Sequence, residues 1–256
     1  MERRIFLGMA AAATAVPLVA GASDAKPSGV APKVRNVVFV HGLFADGSCW
    51  SEVITRLLPW NLHITSVQNP LTTLDEAVDS ARRALALQDG PTLLVAHSFS
   101  GMIITELGVD PKVSGLVYVA ARAPDAGEDY TALAKQYPQP PASTGIVFSE
   151  DEGRLTETAF MKDFAGDLPT DKARLLYAVQ APFKKTLLAG KTTQAAWRSK
   201  PSWYVVSKLD RTINPDLQRF MAKRMGAKTV ELEASHLSLL SQPEAVTKVI
   251  LAALGA

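Results

Sequence analysis

The stretch Thr92-Leu93-Leu94-Val95-Ala96-His97-Ser98-Phe99-Ser100-Gly101 is apolar up to a serine and then turns at once into a helical pattern. Bounded on its N-terminal side by Asp89-Gly90-Pro91, it reads as a buried strand, a sharp turn carrying Ser98, and a helix beginning near Phe99. Such a turn pushes the serine hydroxyl out over the sheet, and small neighbours let strand and helix pack closely. The small-x-Ser-x-small frame is filled by Ala96, His97, Ser98, Phe99 and Ser100, with Gly101 one place late. Both glycine positions of G-x-S-x-G are therefore replaced, though by small residues. Alone, the segment also fits a helix whose N-cap is Ser98. The rest of the chain separates the two readings.

Working outward, strands and helices alternate. Residues 36–40 and 62–67 read as strands, and residues 50–58 and 73–87 as helices. The second helix sets Leu74, Ala77, Val78, Ala81 and Leu85 at near-helical spacing, with Asp75 and Glu76 in the first turn, where the helix dipole favours them. Residues 115–120 form the next strand. This order predicts an α/β fold: a mostly parallel sheet with helices on both faces. Beyond Ala121 the alternation stops. Turn-rich stretches at 125–127 and 137–141, with short helices expected over 157–164, 171–180 and 182–189, suggest a helical cap inserted over about 124–200. Its Tyr130, Tyr137, Phe148, Phe160, Phe164, Tyr177, Phe183 and Trp197 would form an aromatic ceiling over a substrate. The sheet is expected to resume at 203–207 and 229–232.

The chain of 256 residues suits one such domain, spanning 26–256. A net charge of +2 and scattered basic residues give no footprint for nucleic acid. Residues 1–25 read instead as an export signal: Arg3-Arg4-Ile5-Phe6-Leu7 leads into an alanine-rich apolar run and then small residues around Ala22 and Ala25, a pattern of the twin-arginine (Tat) type. The expected location is periplasmic or extracellular, with no stable membrane insertion once the signal is removed. The single Cys49 can form no intramolecular disulfide and is expected to be a small buried group.

A serine nucleophile needs a base, and imidazole suits that task near neutral pH. Of the four histidines, His41 lies in the loop after the first strand, His63 inside a strand, and His97 beside Ser98, facing away from it. His236, in the loop after the last strand, is the expected base. The acid should follow the penultimate strand, where Asp210 stands; Asp125 is the rival, and Asp210 also reads as a turn residue. Ser100 is expected to serve close packing. Histidine and carboxylate spacings suggest no metal site, and no cofactor is expected.

His41-Gly42-Leu43, the Ala96–Gly101 segment, Asp210 and Ser235-His236-Leu237 together make the chain from Val34 onward resemble the α/β-hydrolase superfamily. Within it, the similarity is to the small serine esterases related to plant methyl-ester esterases and hydroxynitrile lyases. The resemblance implies an oxyanion hole formed by the backbone N–H groups of Leu43 and Phe99, with Gly42 permitting close approach. Lyases of that branch carry a threonine in the oxyanion loop and a lysine after the histidine. Gly42 and Leu237 stand here instead, which favours ester hydrolysis. The expected activity is a serine carboxylester hydrolase acting on a small or medium ester. The alternatives are a lactonase or other acyl hydrolase, a hydroxynitrile-lyase-like enzyme, and a non-catalytic receptor on the same fold.

Overall fold

The computed structural model describes residues 31–256. The segment expected to be an export signal lies outside the described residues.

The chain begins with β1 (Asn36–Val40), whose five residues are all buried, followed by α1 (Ser51–Leu57), β2 (His63–Val67) and α2 (Leu74–Ala86). Thr73 caps α2 by accepting the Glu76 N–H, and the helix buries the apolar residues expected from their spacing. Then come β3 (Thr92–His97), α3 (Gly101–Leu107) and β4 (Val113–Val119).

After β4 the chain leaves the main sheet. It forms α4 (Tyr130–Ala134), a hairpin of β5 (Ile146–Ser149) and β6 (Glu152–Leu155), α5 (Glu157–Ala159), α6 (Thr170–Ala178), β7 (Phe183–Lys184) and α7 (Lys185–Leu188). Beside the short helices expected of the inserted segment, β5, β6 and β7 form a small antiparallel sheet that was not expected. Gly153 explains part of it. A Cβ at that position would lie 2.6 Å from both the Phe148 and Phe183 rings, so the strand can pass between them only as glycine. Residues Phe160–Phe164 continue α5 as a π-helical turn.

The main sheet resumes with β8 (Ser202–Ser207), α8 (Pro215–Arg224) and β9 (Lys228–Leu232), and the chain closes on α9 (Ser238–Ser241) and α10 (Pro243–Leu254). The six strands run β2-β1-β3-β4-β8-β9, every neighbouring pair parallel. Helices α1 and α10 pack together against one part of the sheet, and α2 and α3 together against another. Residues Leu93–Ala96 of β3 and Leu116–Val119 of β4 are wholly buried, as both-faced coverage of a parallel sheet requires. Each such aliphatic side chain contributes about 1.5–3 kcal/mol relative to exposure.

The strand order positions the site. From β1 the chain moves outward to β2, then returns to the other side of β1 for β3. The connections leaving the C-terminal ends of β1 and β3 therefore lead off in different directions, which makes this the switch point of the sheet. His41-Gly42-Leu43 and Ser98 meet there.

Candidate active site

The elbow is built as strand, turn and helix. β3 ends at His97, Ser98 takes a left-handed backbone with φ of 60°, and a 3-10 turn over Ser98–Ser100 leads into α3. A side-chain-bearing residue in that region is strained by about 1–2 kcal/mol, so the surroundings must hold it there. They do so from both sides. The Arg122 N–H donates to the Ser98 carbonyl at 2.9 Å. The Ser100 hydroxyl lies 2.7 Å from the Val40 carbonyl and 2.8 Å from that of His97, and it accepts the His97 N–H at 3.1 Å. Ser100 thus ties β3 to β1, the packing role expected of it.

Gly42 lies directly against Ser98. A Cβ at this residue would fall 2.6 Å from Ser98 Cβ and 2.9 Å from the His97 carbonyl oxygen, so the loop after β1 approaches Ser98 as closely as a backbone can. This brings the Gly42-Leu43 segment beside the Ser98-Phe99 turn, as an oxyanion hole of Leu43 and Phe99 amides needs. Phe44 follows in a left-handed conformation with φ of 61°, and its ring meets Phe164 and Phe183 edge-on.

His236 and Asp210 come together from the loops after β9 and β8. His236 Nδ1 lies 2.6 Å from Asp210 Oδ2, and neither side chain is exposed. The other carboxylate contacts are filled. Oδ1 accepts the N–H groups of Thr212 at 2.7 Å and Ile213 at 3.0 Å, and Oδ2 also accepts Gln218 Nε2 at 2.7 Å. With every neighbour a donor, the carboxylate stays an acceptor, and the Nδ1 proton points at it. The buried Nε2 has no hydrogen-bond partner among the described residues, leaving its lone pair free to act as a base. Ser98 is 6% exposed. It makes no side-chain hydrogen bond to His236 among the described contacts; in a resting site such bonds are commonly long. Asp125, the rival acid, is instead paired with Arg198, with 2.9 Å between Oδ1 and Nε.

Two contributors escaped sequence reasoning. Gln218, fully buried on α8, bonds Asp210 while its Oε1 accepts the Ser207 N–H at 3.0 Å, bracing the acid against β8. Its only signal is a polar residue on the buried face of a helix. His97 does more than face away from Ser98: its ring lies 4.6 Å from that of His236, and its Nε2 is 3.0 Å from the His236 carbonyl oxygen. Burial holds its pKa well below the ordinary histidine value, so it is neutral and its Nε2–H donates to that carbonyl.

The expected aromatic ceiling is only partly assembled here. Phe164 lies 5.3 Å from the His236 ring, with Phe160 tilted against it at 4.9 Å, and Phe183 meets Phe44. Trp197 instead donates its indole N–H to the Pro124 carbonyl beside Arg198 and Arg224, and Tyr137 packs on Phe220. Those two serve packing, which their spacing in sequence does not distinguish from a place over the site. Among the described residues, no group of three or more His, Cys, Asp or Glu side chains could hold a metal ion.

Comparisons with known proteins agree with this architecture. Residues 37–249 match the profile of the alpha/beta hydrolase family. The alpha/beta hydrolase nvfD of Aspergillus novofumigatus (strain IBT 16806) is 26% identical over 242 residues, covering 86% of this chain and 96% of that protein. A carbendazim hydrolyzing esterase of Nocardioides sp. (strain SG-4G) is 27% identical over 130 residues, 44% of this chain and 53% of its own length. Among solved structures, polyneuridine aldehyde esterase superposes with a TM-score of 0.75 at 19% identity, over 87% of this chain and all 100% of its own. With a profile that runs from β1 into α10 and a sheet whose switch point carries the strained serine, the chain belongs to the alpha/beta hydrolase family.

Proposed function

We propose that the protein is a serine carboxylester hydrolase in which Ser98, His236 and Asp210 form the triad. Ser98 Oγ attacks the ester carbonyl while His236 Nε2 takes its proton. Asp210 holds the imidazole tautomer and stabilises the imidazolium. The amides of Leu43 and Phe99 receive the developing oxyanion. Collapse of the tetrahedral intermediate expels the alcohol, which takes the proton from His236, and leaves an acyl-enzyme. Water, deprotonated by His236, then releases the acid and restores Ser98.

The observation that carries the reading is the buried His236–Asp210 pair at 2.6 Å, with Nε2 left free. The names of the relatives and neighbours, esterases and hydrolases, agree with it. Export through residues 1–25 belongs to the same proposal, tested by fractionating cells that express the full chain and its Arg3→Lys, Arg4→Lys form. The deciding experiment is turnover of p-nitrophenyl acetate, butyrate and octanoate by the protein without residues 1–25, with Ser98→Ala in parallel. Hydrolysis that disappears in Ser98→Ala supports the mechanism. A folded wild type with no turnover and no labelling of Ser98 by a fluorophosphonate refutes it, and a receptor role then takes its place.

A further inference from the structure

Beside the elbow lies a cation without a counter-charge. Arg122 follows the left-handed Ala120 (φ 43°) at the end of β4, and its own N–H is the one bonded to the Ser98 carbonyl. Its guanidinium carbon lies 5.4 Å from the centre of the Phe99 ring and 4.6 Å from that of Tyr130. Among the described residues it makes no ion pair, and its buried Nε has no hydrogen-bond partner. Arg198, Arg211, Arg219 and Arg224 are by contrast each matched to a carboxylate, while Arg154, which has no ion pair either, is exposed to water. Stacking on two rings steadies a guanidinium, yet a charge withdrawn from water without an anion remains costly.

Arg122 lines a cavity of about 200 Å³ together with Tyr130, Leu188, Thr212, Ile213 and Leu217. The cavity adjoins the triad from two sides. Thr212 and Ile213, which line it, hold Asp210 through their backbone N–H groups, and the Arg122 N–H holds the Ser98 carbonyl. The Thr212 hydroxyl is already engaged with the Asp163 carbonyl at 3.1 Å. Burial pushes the Tyr130 phenol up to about 12, which keeps it a protonated donor. Thr131, Ser143 and Asn214 also line it, but the Ser143 hydroxyl donates to the Pro140 carbonyl and the Asn214 amide to the Pro138 carbonyl, so the wall's one cationic group is the guanidinium, with the phenol beside it. That set fits a planar monoanion; a dianionic phosphate would call for a second cation.

We propose that Arg122 is a substrate-recognition residue and that Ser98 acts on anionic esters, whose carboxylate pairs with Arg122 in this cavity while the ester carbonyl reaches the nucleophile. This rests on the serine-esterase reading and narrows its substrate to carboxylate-bearing esters. Hydrolysis proceeds as already described, with the carboxylate unchanged.

The test compares p-nitrophenyl hemiglutarate, which carries a free carboxylate, with its neutral methyl ester, on wild type, Arg122→Met and Arg122→Lys. The wild type should favour the anionic ester by at least tenfold in kcat/KM. Arg122→Met should abolish that preference, and Arg122→Lys should keep part of it. A wild type that favours the neutral ester, or a preference that survives Arg122→Met, overturns the proposal. If Arg122→Met does not fold, competitive inhibition of the wild type by glutarate, weakened in Arg122→Lys, replaces it; absence of inhibition overturns the proposal. If neither ester is turned over and Ser98 resists the fluorophosphonate, the esterase reading is what fails. Calorimetry of glutarate binding then decides the Arg122 site alone, binding supporting it and no binding overturning it.

Discussion

Gly42→Ala should cripple turnover while leaving the chain folded. Gly42 does not occupy the left-handed region, which among glycines holds only Gly127, Gly226 and Gly255 of the described residues, so an alanine backbone is permitted. The obstacle is space. The new Cβ would lie 2.6 Å from Ser98 Cβ, 2.9 Å from the His97 carbonyl oxygen and 3.2 Å from Ser98 Oγ. Ordinary carbon contacts are about 3.5–4.0 Å, so the overlap is roughly 1 Å. Neither Ser98 Cβ nor the His97 carbonyl can rotate out of the way, because both belong to the elbow itself. The loop must therefore retreat by about that distance, carrying the Leu43 N–H with it. A 1 Å misplacement costs about 100-fold, and loss of one oxyanion donor about 100- to 1,000-fold, which is roughly 3–4 kcal/mol of barrier. The assay is kcat/KM for p-nitrophenyl butyrate alongside Tm. Gly90→Ala serves as the control, since its Cβ would meet nothing nearer than Asn36 Nδ2 at 3.5 Å. A Gly42→Ala protein within threefold of wild type in kcat/KM would refute the oxyanion geometry.

Three further outcomes are expected. Asp210→Asn should lower kcat by about 1,000- to 10,000-fold by releasing the His236 tautomer, measured as steady-state hydrolysis, and a loss under tenfold would remove Asp210 from the triad. The buried neutral His97 holds its pKa below the unfolded value of 6.5, so only the unfolded chain gains a proton as pH falls through 6.5. Stability is then full above that pH and declines below it, by up to about 1.4 kcal/mol per pH unit per group; His41, shifted the same way, adds to the slope. His97→Gln should flatten the decline in Tm between pH 7.5 and 5, and an unchanged slope would show that His97 is not the group responsible. Burial and the Asp46 charge push the Cys49 thiol up, so Ellman's reagent should label it only after unfolding; prompt labelling of the native chain would contradict its burial.

Much of this was legible in the residues, for identifiable reasons. Buried parallel strands must be continuous apolar runs, so Asn36–Val40 and Thr92–His97 stood out. Asp75 and Glu76 marked the first turn of α2 through their fit to the helix dipole, ahead of the apolar spacing that followed. His236 could be reached by elimination because the chain has four histidines, while Asp210 was picked out by its place after the penultimate strand, with Asp125 as rival. What could not be read depended on contacts between residues far apart in sequence. The hairpin of β5 and β6 is four residues a side, and the adjacent Val147 and Phe148, on opposite faces of β5, are both exposed, so that strand shows no buried-exposed alternation to read. Gln218 and Arg122 look like ordinary surface residues until α8 and the loop after β4 are folded against Asp210 and Ser98.

The strained positions tell where the fold's stability is put to use. Five non-glycine residues adopt positive φ among those described, and three of them, Phe44, Ser98 and Ala120, follow the C-terminal ends of β1, β3 and β4. Ser98 and Ala120 are held by bonds that cross between segments, and Phe44 by its ring packed on Phe164 and Phe183. The Ala120 N–H reaches the Val205 carbonyl at 2.9 Å, the Arg122 N–H reaches Ser98 at 2.9 Å, and Ser100 links back to Val40. Glycine at any of the three would relax the backbone, but at 98 it would remove the proposed nucleophile and at 44 the ring packed on Phe164 and Phe183. Rules of local preference are broken at one edge of the sheet and obeyed in the buried strands behind it, which is the pattern expected where a rigid core holds a reactive serine in a conformation it would not choose alone.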